Sequence, residues 1–364
     1  MASLFEPYNA NGIELRNRFM RSATWDASAT DDGDVTDASV AIYDALARGG
    51  VGLIVTGYAY ISDIGRAATG QYGIAEDRHV EGLRRLATVA HEGGARIAVQ
   101  IAHAGLNLRL LGRTESVALA PSLLEGERQT HRALTVDEIK QTIDDFASAA
   151  VRAREAGFDA VQLHWAHGYL GSQFLSPLTN RRDDDWGGSP EKRHRFHIET
   201  LRAVRKAVGD DFPVWAKLGV QESDGGLSLA EALDAIRAMA AAGLSGVEVS
   251  AGQGASAART ERTDEDEKLY FREEAAAIKR AVDIPVALVG GFRALETAEE
   301  VIARGDADLI SMSRPLIREP DLIARWQRGD RAPSKCIRCN KCMAAAYQTR
   351  SFECQEEKLA REGS

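Results

Sequence analysis

No stretch of this chain approaches the roughly 18 consecutive apolar residues that cross a bilayer, so no membrane partner is expected. Nor do basic residues gather into a stripe with interleaved aromatics: 45 Lys and Arg stand against 54 Asp and Glu, and the net charge of -9 is spread along the sequence. Nucleic acid is therefore excluded as an expected partner. Cysteine is scarce, with four in 364 residues, and Cys336, Cys339, Cys342 and Cys354 all fall at one end. A disulfide framework would spread them more widely, so they are a local feature. Residues 1–8 carry neither the basic segment nor the apolar core of a secretion signal, and a cytoplasmic location is expected. A glycine-rich dinucleotide fingerprint is missing after the first apolar run, where Arg21-Ser22-Ala23-Thr24-Trp25 stands.

What is present is a rhythm. After a hairpin-like opening over residues 1–18, broken by Asn11-Gly12, short apolar runs alternate with amphipathic segments. The runs are 19–23, 51–56, 96–101, 159–163, 213–218, 246–250, 285–289 and 308–313. Helices are expected near 36–48, 77–92, 136–156, 190–208, 228–242, 267–282, 294–304 and 319–328. In 136–156, Ile139, Ile143, Phe146, Ala150 and Ala153 recur at helical spacing behind Thr135 and Glu138, a capping box. Runs such as Val51-Gly52-Leu53-Ile54-Val55 are continuously apolar, as strands of a parallel sheet covered on both faces must be. Eight such pairs predict an α/β fold, a (β/α)8 TIM barrel over 1–330, with a short cysteine-containing C-terminal tail over 331–364. An open doubly wound sheet is the alternative.

Chemistry concentrates at 159–188. Ala160-Val161-Gln162-Leu163 ends in His164, Trp165, Ala166, His167, Gly168 and Tyr169, which puts two imidazoles and a phenol at the carboxyl end of a strand, where parallel α/β proteins keep their active sites. The histidines read as metal ligands, as a structural pair, or as a clamp for an anionic or carbonyl oxygen with Tyr169 as proton donor. Spacing does not choose among these. Gly290-Gly291 and Ser313-Arg314 occupy the loops after runs seven and eight, where barrels commonly bind phosphate; a tight turn and a surface charge are the plainer readings. Lys217 ends run five and either meets an anionic cofactor ring or extends to the rim. Gln100 ends run three and suits the edge of a heteroaromatic cofactor. The long connection 102–134 lies on the same rim and is expected to be functional.

Taken together, His164-Trp165-Ala166-His167-Gly168-Tyr169-Leu170, Gln173-Phe174-Leu175-Ser176-Pro177, Asn180-Arg181-Arg182 and Gly187-Gly188-Ser189-Pro190-Glu191 resemble the Old Yellow Enzyme family of FMN-dependent ene-reductases. Leu4-Phe5-Glu6-Pro7, Leu15-Arg16-Asn17-Arg18 and Gln100-Ile101-Ala102-His103-Ala104-Gly105 match as well, so the likeness covers residues 4 to about 330. The resemblance implies FMN as cofactor and NAD(P)H as reductant. It places Ser22, Ala23, Thr24, Gly57 and Tyr58 against the flavin, Gln100 at its pyrimidine edge, Lys217 near N1 and the C2 carbonyl, and Gly290, Gly291, Ser313 and Arg314 at the phosphate. It makes His164 and His167 the holders of a substrate carbonyl and Tyr169 the acid in reduction of an enone or enal. Oxidative demethylation of a small amine and a flavin electron-transfer subunit are the alternatives. Trp165 is expected to pack outward against a helix.

The tail reads C-x2-C-x2-C-x11-C and is similar to the cluster segment of the 2,4-dienoyl-CoA reductase branch. A 4Fe-4S cluster, a structural zinc with four thiolates and an unmetallated tail stay open as readings of Cys336, Cys339, Cys342 and Cys354. A homo-oligomer is the expected assembly.

Overall fold

The computed structural model describes residues 3–108, 117–127, 129–223, 225–252 and 269–362. Eight parallel strands form the barrel: β1 (Phe19–Arg21), β2 (Leu53–Val55), β3 (Arg96–Ala102), β4 (Ala160–Trp165), β5 (Val214–Gly219), β6 (Gly246–Ser250), β7 (Val286–Val289) and β8 (Leu309–Met312). Each pairs with its neighbours in sequence, β8 pairs with β1, and the circle is complete because β3 pairs with β4 through Ala160 opposite Ala98 and Gln162 opposite Gln100. The closed barrel is the architecture read from the alternating runs.

Around it lie α1 (Asp37–Arg48), α2 (His79–Glu92), α3 (Val136–Glu155), α4 (Arg195–Val208), α5 (Leu229–Ala241), α6 (Arg272–Ala281), α7 (Leu295–Arg304) and α8 (Leu322–Gln327). The capping box at Thr135 and Glu138 forms as expected and fixes the start of α3. The segment 190–208 is not one helix: Pro190–Arg193 forms a short turn of its own, and α4 starts after His194. The expected helix 267–282 begins later, at Arg272, and residues 267–268 lie outside the described residues, as do 109–116 and 128 of the long connection. Two short strands that the sequence pattern did not reveal, Ala59–Tyr60 and Tyr72–Gly73, extend the sheet beyond the carboxyl end of β3.

Strand alternation sorts side chains into an outer and an inner set. Val161, Leu163 and Trp165 of β4 join the large core between barrel and helices, as do Val214, Ala216 and Leu218 of β5. Inside, Met20, Leu53, Ala98, Ala160, Trp215, Ala287 and Leu309 form an apolar floor. The opening hairpin plugs that floor from below: Tyr8–Asn9 pairs antiparallel with Glu14–Leu15, and Ala10, Ile13 and Leu15 join the cluster. Asn11 and Gly12 both take positive φ, 54° and 99°, the backbone of a type I′ turn that this residue pair favours.

The tail returns over the opposite end of the barrel. α9 (Lys341–Thr349) and α10 (Gln355–Glu362) follow Ser334, whose hydroxyl donates to Glu319, and Arg350 after α9 pairs with Asp31 at 2.9 Å. Trp165 is fully buried with its ring edge-on to His197 of α4, 4.7 Å between centroids, and over Gly171, where any β-carbon would collide with the indole. This is the outward packing expected of it. Trp165→Ala should lower unfolding free energy by about 3–5 kcal/mol in urea titrations, the cost of an emptied aromatic site in a core that cannot collapse.

Candidate active site

Above the apolar floor the inward positions turn polar. Ser22 follows β1, and Gln100, Gln162, Lys217, Glu248 and Ser311 come from β3, β4, β5, β6 and β8; all are buried. Glu248 Oε1 accepts from the hydroxyls of Ser22 and Ser311, each at 2.7 Å, and lies 3.3 Å from Lys217 Nζ. Its Oε2 accepts from Gln162 Nε2 at 3.0 Å, and Gln162 accepts from Gln100 Nε2 at 2.7 Å. Burial alone would raise the Glu248 carboxyl, but Lys217, the two hydroxyls and the amide together bring it below its ordinary 4.5, so it is ionised.

On this layer opens a cavity of about 630 Å³, within the range of cofactor and substrate sites. Of the residues singled out from sequence, Ala23, Thr24, Tyr58, Gln100, His164, His167, Tyr169, Lys217, Ser313 and Arg314 all line it. Ser22 sits one layer down, donating to Glu248 and accepting from Lys217 Nζ at 2.7 Å. Gly57, Gly290 and Gly291 are not among the lining residues. Gly57 is packed so that a β-carbon would press on the Thr24 carbonyl, and Gly290, at φ 100°, is covered by the Tyr270 ring. Thr24 and Ser313 join their hydroxyls at 2.8 Å, tying the loop after β1 to the loop after β8.

The carboxyl end of β4 delivers the aromatic cluster. His164 lies opposite Lys217 in the ladder, its ring 4.4 Å from Tyr169 and 5.4 Å from His167. Tyr58 stands over both, 6.2 Å from His164 and 5.3 Å from Tyr169. His167 leaves the strand with φ 59°, a left-handed backbone that turns its ring back over the barrel mouth, and Gly168 follows at φ 76°. Its Nε2 is 2.7 Å from Ser250 Oγ, and Asn107 Nδ2 donates to its carbonyl at 3.1 Å. Among the described residues, the buried Nδ1 of His164 has no hydrogen-bond partner. Burial first, then His167 and Lys217, holds the His164 imidazolium far below its ordinary pKa; burial and then Lys217 lower His167 to about 3. Both rings are neutral hydrogen-bonding groups at ordinary pH, set beside a cation.

Several lining residues escaped the sequence reading: Trp25, Asn107, Asn340, Met343, Ala344 and Tyr347. Asn107 belongs to the long connection flagged by its length. The last four come from the tail, whose docking no local pattern announces. Tyr347 packs on Trp25 with centroids 4.5 Å apart, so α9 forms a wall of the mouth. Next to that wall, Cys336, Cys339, Cys342 and Cys354 line a second, small hollow together with Arg314 and Asn340. Burial pushes the thiols of Cys336 and Cys342 above their ordinary value. Among the described residues, no three His, Cys, Asp or Glu side chains are gathered as a single-ion site. Arg314, which donates to Asn340 Oδ1 at 2.6 Å, borders both hollows.

Residues 3–332 match the model of the NADH:flavin oxidoreductase / NADH oxidase family. The chain is 36% identical to an NADH oxidase of Thermoanaerobacter brockii over 99% of its own length, although it spans only 57% of that protein. It is 36% identical to an NADPH dehydrogenase of Geobacillus sp. (strain WCH70) over 87% of this chain and 91% of that one. Among solved structures, the old yellow enzyme homologue from Zymomonas mobilis superposes with a TM-score of 0.79 at 26% identity, covering 98% of both chains.

Buried neutral histidines make stability depend on acid. His103 is lowered to about 4, and His167 and His197 to about 3, each by burial first, against an ordinary 6.5. The unfolded chain therefore binds more protons between those values, so stability is complete above about 6.5 and is lost as pH falls towards the folded values. Melting temperature should decline steadily from pH 7 to pH 4; a flat profile would contradict the neutral burial of these rings.

Proposed function

The chain belongs to the NADH:flavin oxidoreductase / NADH oxidase family, and we propose that it is an NAD(P)H-dependent FMN oxidoreductase that reduces the activated C=C bond of α,β-unsaturated carbonyl compounds. The observation that carries this reading is the convergence of His164, His167, Tyr169, Lys217 and Gln100 on one cavity, with neutral donors grouped on one wall and a lysine beside them. A flavin carrier needs no such donor cluster.

The residues fit FMN by their chemistry. Lys217 and Gln100 offer hydrogen bonds to the polar pyrimidine edge, Ala23, Thr24 and Tyr58 offer contact surface, and Ser313 and Arg314 supply a hydroxyl and a guanidinium for the phosphate. Ser22 and Gly57 support that wall from behind, and Gly290 and Gly291, with φ near 100° and 90°, hold the β7 turn in a conformation that other residues resist. Bound there, FMN would accept hydride from NAD(P)H and pass it to the β carbon of the alkene.

The protein's own part is to hold and polarise. Neutral His164 and His167 each have one N–H to donate, and both would meet the substrate carbonyl oxygen as negative charge develops on it. Because the rings carry no charge of their own, their hydrogen bonds strengthen with that charge, which is the differential stabilisation that catalysis requires. Tyr169, with its ring beside those of His164 and Tyr58, would protonate the α carbon.

The thiol hollow favours a second element. Four cysteines lining one hollow, in the spacing C-x2-C-x2-C-x11-C, support a 4Fe-4S cluster as the group they would hold, with zinc as the alternative. The match to the NADH oxidase of T. brockii covers 99% of this chain, so it takes in the cysteine segment. Arg314 borders both hollows, so the two are neighbours, and in the demethylase alternative a cluster in the second would take up the electrons that the flavin gains from a small amine.

Three outcomes are expected. The purified protein should show flavin absorbance that bleaches with NADPH or NADH and returns with cyclohexenone; a bleached flavin that ignores the enone would shift the reading to amine oxidation. Tyr169→Phe should slow the enone half-reaction by roughly 10²-fold or more while leaving flavin reduction nearly intact, and equal slowing of both would remove its role as acid. Anaerobically prepared protein should contain iron and acid-labile sulfide, and Cys342→Ser should lose both while keeping FMN; zinc in their place would reverse the assignment.

A further inference from the structure

We infer that Glu248 acts through Lys217 as a positioning residue, offsetting the charge that Lys217 presents to the flavin and so lowering the reduction potential of bound FMN. The inference rests on the reading above, in which FMN fills the mouth with its pyrimidine end at Lys217.

The structural basis is a buried ion pair of which one member alone reaches the cavity. Lys217 lines the mouth; Glu248 does not, and it is 0% exposed. The carboxylate stands 3.3 Å behind the ammonium and is held by Ser22, Ser311 and Gln162, with Gln100 bracing Gln162 in turn. Nothing in the fold of a barrel strand asks for a carboxylate here. Its neighbours Val247 and Val249 face the helices as ordinary apolar residues, and a buried carboxylate carries a large desolvation cost. Three strands and the residue after β1 contribute groups that recognise this one side chain, so its position is specified and not tolerated.

The electrostatic consequence follows from the geometry. A lysine alone beside the pyrimidine edge would place a full positive charge there, favouring the electron-rich reduced ring. A carboxylate directly behind the lysine cancels much of that field, and in a water-poor interior the cancellation counts for more than it would in solvent. The lysine keeps its role as a hydrogen-bond donor while its charge is offset. The reduced flavin is thereby made a stronger hydride donor, as delivery to an alkene carbon demands. The Ser22 hydroxyl serves both partners: it accepts from Lys217 and donates to Glu248, locking the two in one arrangement.

The test is the potential of the bound flavin, measured by anaerobic dye equilibration on holoprotein. Glu248→Gln keeps shape and removes charge; it should shift the reduced-to-oxidised ratio about tenfold towards reduced, which is about 30 mV positive for a two-electron couple. Glu248→Asp, which keeps the charge, should move it much less. If Glu248→Gln does not fold, the double variant Lys217→Gln/Glu248→Gln is compared with wild type: with both charges removed together its potential should stay near the wild-type value, whereas a clear fall would mean that the lysine charge was not offset. An unchanged potential in Glu248→Gln, or a clear fall in the double variant, with FMN bound, would overturn the role of Glu248 and leave the proposed function standing. Wild-type protein that takes up no FMN would overturn both.

Discussion

Barrel closure between β3 and β4 is the constraint from which the site follows. Once Ala160 is opposite Ala98 and Gln162 opposite Gln100, the eight barrel strands form a closed circle, and the two-residue alternation decides for each of them which side chains face inward. A slip of one residue in β4 would send His164 into the helical layer and Trp165 into the mouth. The outer core resists this, since Trp165 is packed against Gly171 and His197 and would leave that site empty.

Within the barrel, polarity is graded along the strands. The floor is apolar and plugged by the opening hairpin, so water is kept from below. The next layer is polar but internally satisfied: every group around Glu248 is paired with another, so a charge can stay ionised at full burial. Removing one partner of such a pair typically costs 3–5 kcal/mol, so the layer is rigid. On top of it stand rings kept neutral by their surroundings. Dry floor, fixed charge and neutral donors form a sequence from stability to chemistry along a single axis.

The tail joins this axis from the side. By packing Tyr347 on Trp25 and binding Arg314 through Asn340, it finishes the cavity wall and brings the four thiols against the same wall. A segment with little core of its own thus shapes two sites, and Arg314 is shared between them.

The barrel was legible because buried parallel strands must be continuously apolar and their helices amphipathic, and both patterns are local. The positions of His164, His167 and Tyr169 were legible too, since a polar cluster that ends a buried strand has only the strand terminus to occupy. Local pattern also marked Lys217 and Gln100, but it left open whether lysine met an anion or solvent. The structure supplied an answer that no spacing holds: the partner is Glu248, 31 residues away on the next strand. The same holds for Asn340, Met343 and Tyr347, which reach the mouth through the docking of a tail. The sequence by itself determined the repeating units and the strand end that carries the chemistry, because both depend on neighbours a few residues apart. Tertiary structure alone decided which charge faces which and what walls the cavity, because barrel closure and tail docking bring together residues whose separation along the chain carries no periodic signal.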